Sequence, residues 1–98
     1  MMKKIWSVFT DDMSHCIITG SPDVHLHHIF PGARRKQSER CGFVVPLVYY
    51  LHEFGKDSVH ENPNTGLDLK LKQMAQEYWE SHYGNRKAFI ATFGKSYL

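Results

Sequence analysis

The chain has 98 residues, a formal net charge of +2 with histidine taken as neutral, and a hydrophobic fraction of 42%. This length suits a single domain with one modest core, and this composition excludes a disordered tail. The weak net charge does not by itself indicate nucleic acid, and no segment reaches the roughly 20 apolar residues of a membrane span.

The first residues of the chain and its two cysteines bear on the cellular compartment in which we expect the protein. The lysines that open the chain precede only a short apolar run, which Asp11 and Asp12 interrupt, so we reject a signal peptide. Cys16 and Cys41 are the only cysteines, and nothing in the sequence points to an oxidising environment. We therefore expect a cytoplasmic protein that does not bind membranes.

The first half of the chain predicts short strands separated by turns. Cys16-Ile17-Ile18-Thr19 predicts a strand before a turn at 20–23, and residues 24–30 predict a second strand ended by Pro31-Gly32. Residues 33–40 have no apolar period and predict a loop. Phe43-Val44-Val45 predicts a strand that ends at Pro46, since proline suits a strand end better than its centre.

The second half is predicted to be helical. Residues 49–54 predict a short helix closed by Gly55, and a longer helix follows with Thr65 as its N-cap and Asp68 as the partner of a capping box. Asn85 is expected to cap a last helix closed by Gly94. One face of the long helix carries Leu67, Leu71, Met74, Ala75, Tyr78, Trp79 and His82. We expect its apolar stripe to be core and His82 to face solvent at the end of the helix. Its polar positions, expected to lie off that face, are Asp68, Lys70, Lys72, Gln73 and Glu77.

The most informative segment runs from Val24 to Gly32. His27 and His28 end a short apolar run, and the basic cluster Arg34-Arg35-Lys36 follows the Pro-Gly turn directly. Neutral imidazole is the commonest protein ligand for metals and the usual general base near neutral pH. Such a pair beside a basic cluster suggests one histidine on a metal and the other on a water, next to a phosphate.

The order of these features resembles the ββα-metal, or HNH, nucleases, and in particular small phage-encoded HNH endonucleases. A hairpin over about 24–45 encloses a loop and is followed by a short helix that carries another histidine. The similarity covers nearly the whole chain. The matching segments are Leu26-His27-His28-Ile29-Phe30-Pro31-Gly32, Arg35-Lys36-Gln37-Ser38-Glu39, Gly42-Phe43-Val44-Val45-Pro46-Leu47, Val59-His60 and Phe93-Gly94-Lys95-Ser96-Tyr97-Leu98.

The resemblance implies a fold and an activity. The expected fold class is α+β, with a ββα-metal hairpin-plus-helix core and additional C-terminal helices in one nuclease domain over residues 1–98. The implied activity is divalent-metal-dependent hydrolysis of DNA phosphodiester bonds, in the host cytoplasm if the chain is phage-encoded. Because no recognition helix or aromatic stacking platform is evident, we expect weak sequence preference, or targeting by another protein.

The resemblance also implies residue roles. His27 would bind the ion, His28 would be the general base, and the helix would offer His52 as a further ligand. Zn²⁺ suits a site of three histidines, Mn²⁺, Ni²⁺ and Co²⁺ are also permitted, and Mg²⁺ suits it less well. The best candidates for phosphate contacts are Arg34, Arg35 and Lys36.

His60 is the natural third ligand, on one condition. If residues 52–60 formed one continuous helix, His52 and His60 would lie about 12 Å apart along the axis, at about 1.5 Å per residue. Metal–nitrogen bonds of about 2 Å cannot span that gap. The helix must therefore break, and Gly55 with Asp57-Ser58 supplies the means.

The sequence departs from the family pattern in three places. Of the paired cysteines that hold a second zinc in many HNH proteins, only Cys16 is present, so we expect no second zinc site. The asparagine that orients the base has no counterpart, since Gly42 and Phe43 occupy that region, and a backbone carbonyl could orient His28 instead. Leu51 also removes a polar group next to His52.

Two alternatives to the enzyme remain open. The first is a non-catalytic zinc-stabilised module that binds nucleic acid, for which His25 or Cys16 would complete a closed four-ligand site. His25 shares strand parity with His27 and so could line the same face, although it also suits a partly exposed strand position. The second alternative is a degenerate nuclease fold retained for contact with proteins.

Overall fold

The computed structural model describes residues 4–53 and 55–98 of the chain. In that part, two antiparallel strands pair in one sheet, with one helix between them and three after them, so the chain is α+β. The strands are β1 (Val24–His28) and β2 (Val44–Val48), and the helices are α1 (Arg35–Cys41, after a 3-10 turn at Gly32–Arg34), α2 (Tyr49–His52), α3 (Gly66–His82) and α4 (Arg86–Phe93). No helix of these residues is both long and apolar enough to cross a membrane.

The hairpin of β1 and β2 places the histidine pair at the end of the first strand. The register pairs Val24 with Val48 and His28 with Val44. β1 ends at His28, two residues before the predicted end, whereas β2 continues through Pro46, where we expected it to stop. The Pro46 carbonyl accepts from the Ile17 amide, away from β1. Since the N and O of one strand residue face the same side, Pro46 interrupts no bond to β1.

The connection between the strands is helical, so the prediction of a loop over 33–40 was wrong. The Ser38 hydroxyl is fully buried, donates to the Phe43 carbonyl at 2.6 Å and accepts from the Phe30 amide at 3.3 Å. These contacts join α1 to the end of β1 and the start of β2. The segment has no apolar stripe because its anchor is a buried serine and its exposed positions carry long polar side chains with good helix propensity.

The strand predicted at Cys16–Thr19 was also wrong. Its residues form a turn closed by the Gly20 amide, which donates to the Cys16 carbonyl at 2.8 Å. Ile17 contributes the single hydrogen bond to Pro46, which is too little to make a third strand. β-prone residues therefore form a tight turn here, in which the Cys16 amide also donates to the Ser21 carbonyl at 2.8 Å, because strand propensity is overridden by context.

α3 and α4 follow the prediction, apart from which side chains α3 buries. α2 ends at His52, before the predicted stop at Gly55, and Phe54 lies outside the described residues. Thr65 is the N-cap position of α3 but makes no side-chain cap bond, and Asp68 accepts from the Asn64 amide instead. Asn85 caps α4 as expected, accepting from the Ala88 amide at 2.8 Å. Contrary to expectation, α3 buries a polar stripe alongside its apolar residues: Asp68, Lys72 and Gln76.

The core packs the hairpin against α4. Phe30 follows β1 and its ring lies 4.3 Å from that of Phe93, centroid to centroid, while Phe43 precedes β2 and lies 5.9 Å from Phe93. Both phenylalanines of the hairpin are buried. This packing fixes the position of the residues that follow β1. His27 and His28, the last residues of β1, lie immediately before them.

Candidate metal centre and its surroundings

Three histidines from three segments meet beside the hairpin. His27 comes from β1, His52 is the last residue of α2, and His60 lies in the turn that follows. The chain reverses after α2, since the Val59 amide donates to the Leu51 carbonyl at 2.8 Å and the His60 amide donates to the His52 carbonyl at 3.3 Å. The break required between His52 and His60 is therefore present.

Gly55 makes this reversal sterically feasible. A β-carbon at residue 55 would overlap the Tyr50 carbonyl oxygen, so only glycine lets the chain pass so close to α2. The close approach is what returns His60 to His52, eight positions earlier.

The histidine cluster, by which we mean His27, His52 and His60, has the spacing of a metal site. One ligand nitrogen from each residue lies within 4.8 Å of the others, and the Nε2 atoms of His52 and His60 are 3.0 Å apart. His27 is only 3% exposed, and its Nε2 is buried without a hydrogen-bond partner. A buried imidazole nitrogen that no group satisfies is costly, so this atom calls for an additional partner.

The surroundings of the cluster keep two of its histidines unprotonated, which leaves their nitrogen lone pairs free for a metal ion. Burial, followed by the nearby His52 and His60, lowers the pKa of His27 to about 3. Burial is also the main cause that lowers the pKa of His52, with His60 adding to it and Glu53 opposing it. Both imidazoles are thus neutral at physiological pH, which is the form that binds metals.

The residues fit a borderline divalent ion. Two ligands of a tetrahedral zinc with bonds of about 2.0–2.1 Å lie about 3.3 Å apart, close to the 3.0 Å between the Nε2 atoms of His52 and His60. Three imidazoles and no carboxylate suit Zn²⁺, Ni²⁺ or Co²⁺ better than Mg²⁺, which prefers oxygen. Among the described residues, no fourth histidine, cysteine or carboxylate joins the three.

His25 lies on the opposite nitrogen of His52, outside the histidine cluster. Its Nδ1 is 3.1 Å from Nδ1 of His52, and a Glu53 carboxylate oxygen lies 3.7 Å from the same atom. A metal-binding histidine usually donates its other ring N–H to such a partner, which sets the tautomer. His25 and Glu53 can therefore keep the proton on Nδ1 of His52, leaving Nε2 for the ion. His25 therefore lies on the same face of β1 as His27, as predicted from the alternation of strand side chains.

His28 enters a different network. Its Nε2 lies 2.7 Å from Oε1 of Glu39, on α1, and its side chain is only 9% exposed. When Nε2–H donates to that carboxylate, Nδ1 carries the lone pair and can accept a proton. The partner that orients His28 is thus a carboxylate, not the backbone carbonyl considered as a substitute for the missing asparagine.

His27 and His28 line one open cavity of about 310 Å³ together with the rest of the cluster. Arg35, the first residue of α1, lines the same cavity. Lys36 lines a neighbouring groove instead. Arg34 is engaged elsewhere, because its guanidinium donates to the Thr92 carbonyl at 3.0 Å and so ties the hairpin to α4. Of the three predicted phosphate contacts, Arg35 is the one beside the histidines.

Three residues around the site escaped the sequence analysis. Glu39 was missed because its segment was predicted as a loop; in a helix it lies four positions after the predicted phosphate contact Arg35 and shares its face. Glu53 could have been identified from its position next to His52. Lys72 lines a small cavity with His27 and His60, yet its helical position pointed to solvent.

No protein-family model, curated protein or solved structure matches this chain. The resemblance to HNH nucleases therefore depends on the residues and geometry described above.

Proposed function

We propose that this chain is a divalent-metal-dependent endonuclease that hydrolyses DNA phosphodiester bonds, built on a ββα-metal core. The order β1, β2, α2, with histidines on the first strand and the helix, supports that core. The observation that carries the proposal is the histidine cluster, open on one side to a cavity that also contains a carboxylate-paired histidine and an arginine.

Each residue has a separable task in this proposal. His27, His52 and His60 would hold the ion, which when bound supplies Lewis-acid stabilisation of charge at the phosphate. His28 takes a proton from the attacking water at Nδ1, and Glu39 holds its ring and stabilises the imidazolium that forms. Arg35 contacts a phosphate oxygen and so keeps the DNA backbone in the cavity.

The zinc-stabilised binding module is less well supported. A structural zinc site is closed by four protein ligands, whereas catalytic zinc keeps a position open. His25 faces the opposite nitrogen of His52, and Cys16 accepts from the Thr19 amide in a turn outside the cluster. Neither proposed fourth ligand is thus placed with the other three.

Cleavage of supercoiled plasmid tests the proposal. Protein stripped with EDTA and supplied with one ion at a time, Mg²⁺, Mn²⁺, Ni²⁺, Co²⁺ or Zn²⁺, is expected to nick or linearise the plasmid, and excess EDTA to abolish this. His82→Ala, which removes an exposed histidine at the end of α3, serves as the matched control and should cut normally. Intact plasmid with every ion would contradict the enzyme and favour the binding module.

A further inference from the structure

A second groove lies beside α1, next to the histidine cavity. It encloses about 360 Å³ and is lined on one side by residues 4–6 and on the other by Lys36, Glu39 and Arg40 of α1. We call it the Trp6 groove. Its volume lies in the range of small-ligand sites, and its walls combine an aromatic ring with cationic side chains.

Trp6 is held in place with much of its ring uncovered. A β-carbon at Gly42 would lie 2.7 Å from a ring carbon of Trp6, so the indole packs directly on the backbone that ends α1. The Val8 amide anchors the same segment by donating to the Gly42 carbonyl at 2.9 Å. Trp6 is nevertheless 44% exposed. A fixed, exposed aromatic face costs little ordering entropy when a ligand stacks on it.

The Trp6 groove has the charge to hold phosphates. Lys4, Lys36 and Arg40 contribute cations, and the one carboxylate, Glu39, is engaged with His28. Glu39 also places the groove beside the histidine cavity, since its partner His28 lines that cavity. Arg35 lines the histidine cavity, and the next residue of α1, Lys36, lines the Trp6 groove. The phosphates of one DNA strand could therefore follow α1 from the cavity into the groove.

We propose that the Trp6 groove binds unpaired nucleotides of single-stranded DNA, with a base stacked on Trp6 and phosphates held by Lys36 and Arg40. The inference rests on the proposed function, because it extends the same substrate strand beyond the histidine cavity. Aromatic faces within a positive groove are how proteins hold single strands, whereas duplex bases have both faces covered by their neighbours. Trp6 thus supplies the stacking platform that we did not recognise in the sequence.

The two tryptophans of the chain provide a direct readout. Trp79→Phe leaves Trp6 as the only tryptophan, and Trp6→Phe leaves Trp79, which packs against Phe89 and Phe93 of α4. In EDTA, an oligothymidylate should quench the emission of the first variant strongly and that of the second much less, because Trp79 lines not the Trp6 groove but a cavity next to it, together with Trp6 and Arg40. A blunt duplex of the same length should quench Trp6 much less. Because neither metal nor cleavage is involved, the result is independent of the plasmid assay.

Affinity measurements complete the test. Trp6→Ala should weaken binding of the oligothymidylate about tenfold or more, as expected for loss of one stacked base. Lys36→Ala and Arg40→Ala should each reduce the salt slope by about 0.7, whereas Lys87→Ala, an exposed lysine of α4, should not. Unquenched Trp6 emission, or equal quenching by the duplex, would overturn the proposal. The quenching variants keep an aromatic residue at each site, so they decide the matter even if Trp6→Ala does not fold.

Discussion

His27 and His28 are neighbours in the chain, but their side chains have different partners. Successive strand side chains leave the backbone in different directions, so His27 contacts α2 and its turn while His28 reaches Glu39 on α1, although both border the same cavity. A ligand and a base need different surroundings, because the ligand must stay neutral against a cation while the base must tolerate a proton. In the proposed function, the alternation of one strand would supply both.

This division predicts different effects of two adjacent substitutions. His28→Ala should lower the cleavage rate by about 10²–10⁴-fold, the usual contribution of a general base, with metal affinity nearly unchanged. His27→Ala should lose both, because it removes a ligand. Calorimetric titration with Zn²⁺, run beside the plasmid assay, measures both quantities. Equal loss of metal binding in the two variants would mean that His28 is also a ligand, which would favour the structural-zinc module.

At the scale of elements, α3 departs most from its amphipathic pattern. Its buried polar stripe is satisfied by specific partners: Lys72 lies 2.8 Å from Asp68 and 2.7 Å from Asn64, and Gln76 accepts from the Tyr97 amide at 2.7 Å. Buried polar groups are tolerated when they are fully hydrogen-bonded. The stripe thus joins α3 to the segment before it and to the end of the chain.

We predict that the ion pair on α3 is sensitive to loss of one member. Asp68→Ala leaves the Lys72 ammonium without its charge partner in a site only 9% exposed, and should lower the free energy of unfolding by about 3–5 kcal/mol. Glu77→Ala, at an exposed position of the same helix, should change it by less than about 0.5 kcal/mol. Urea unfolding monitored by circular dichroism gives both values. Similar small losses in the two variants would show that the pair adds nothing to stability.

At the scale of the molecule, the histidine cluster couples protonation to folding, and in the proposed function it would couple metal binding to folding as well. Its three members come from β1, α2 and the following turn, so the cluster forms only when these segments have assembled. A metal that binds only the folded state therefore stabilises it by mass action. In the metal-free protein, the same arrangement keeps His27 neutral at a pH where the unfolded chain would protonate it.

The metal-free fold should consequently lose stability in acid. The folded pKa of His27 is about 3 and its ordinary value is 6.5, so the unfolded chain binds more protons between these values. Stability is then full above pH 6.5 and is lost as the pH falls, by about 2 kcal/mol between pH 6.5 and 5 from this group. Urea unfolding in EDTA across that range, compared with His27→Gln, measures the contribution. Identical pH dependence in the two proteins would contradict it.

Local patterns in the sequence determined much of this protein. The 3.6-residue period identified α3 and α4, Asn85 marked the cap of α4, and the separation of His52 from His60 required a break that Gly55 provides. These features depend on backbone conformation and short-range chemistry, which are encoded within a few positions of each residue. The grouping of His27, His52 and His60 was instead implied by the resemblance to HNH nucleases, because these residues lie on separate segments of the chain.

Only the tertiary structure decided the rest. Residues 35–41 became a helix because Ser38 is hydrogen-bonded to Phe30 and Phe43, which flank the two strands. β2 passed through Pro46 because its free edge faces Ile17. α3 buried Asp68 and Lys72 because they pair with each other and with Asn64 before the helix. The same holds for Glu39 beside His28 and His25 behind His52. Each of these outcomes depends on a partner that is distant in sequence or on a helix that periodicity does not reveal, and no local pattern specifies which groups will meet.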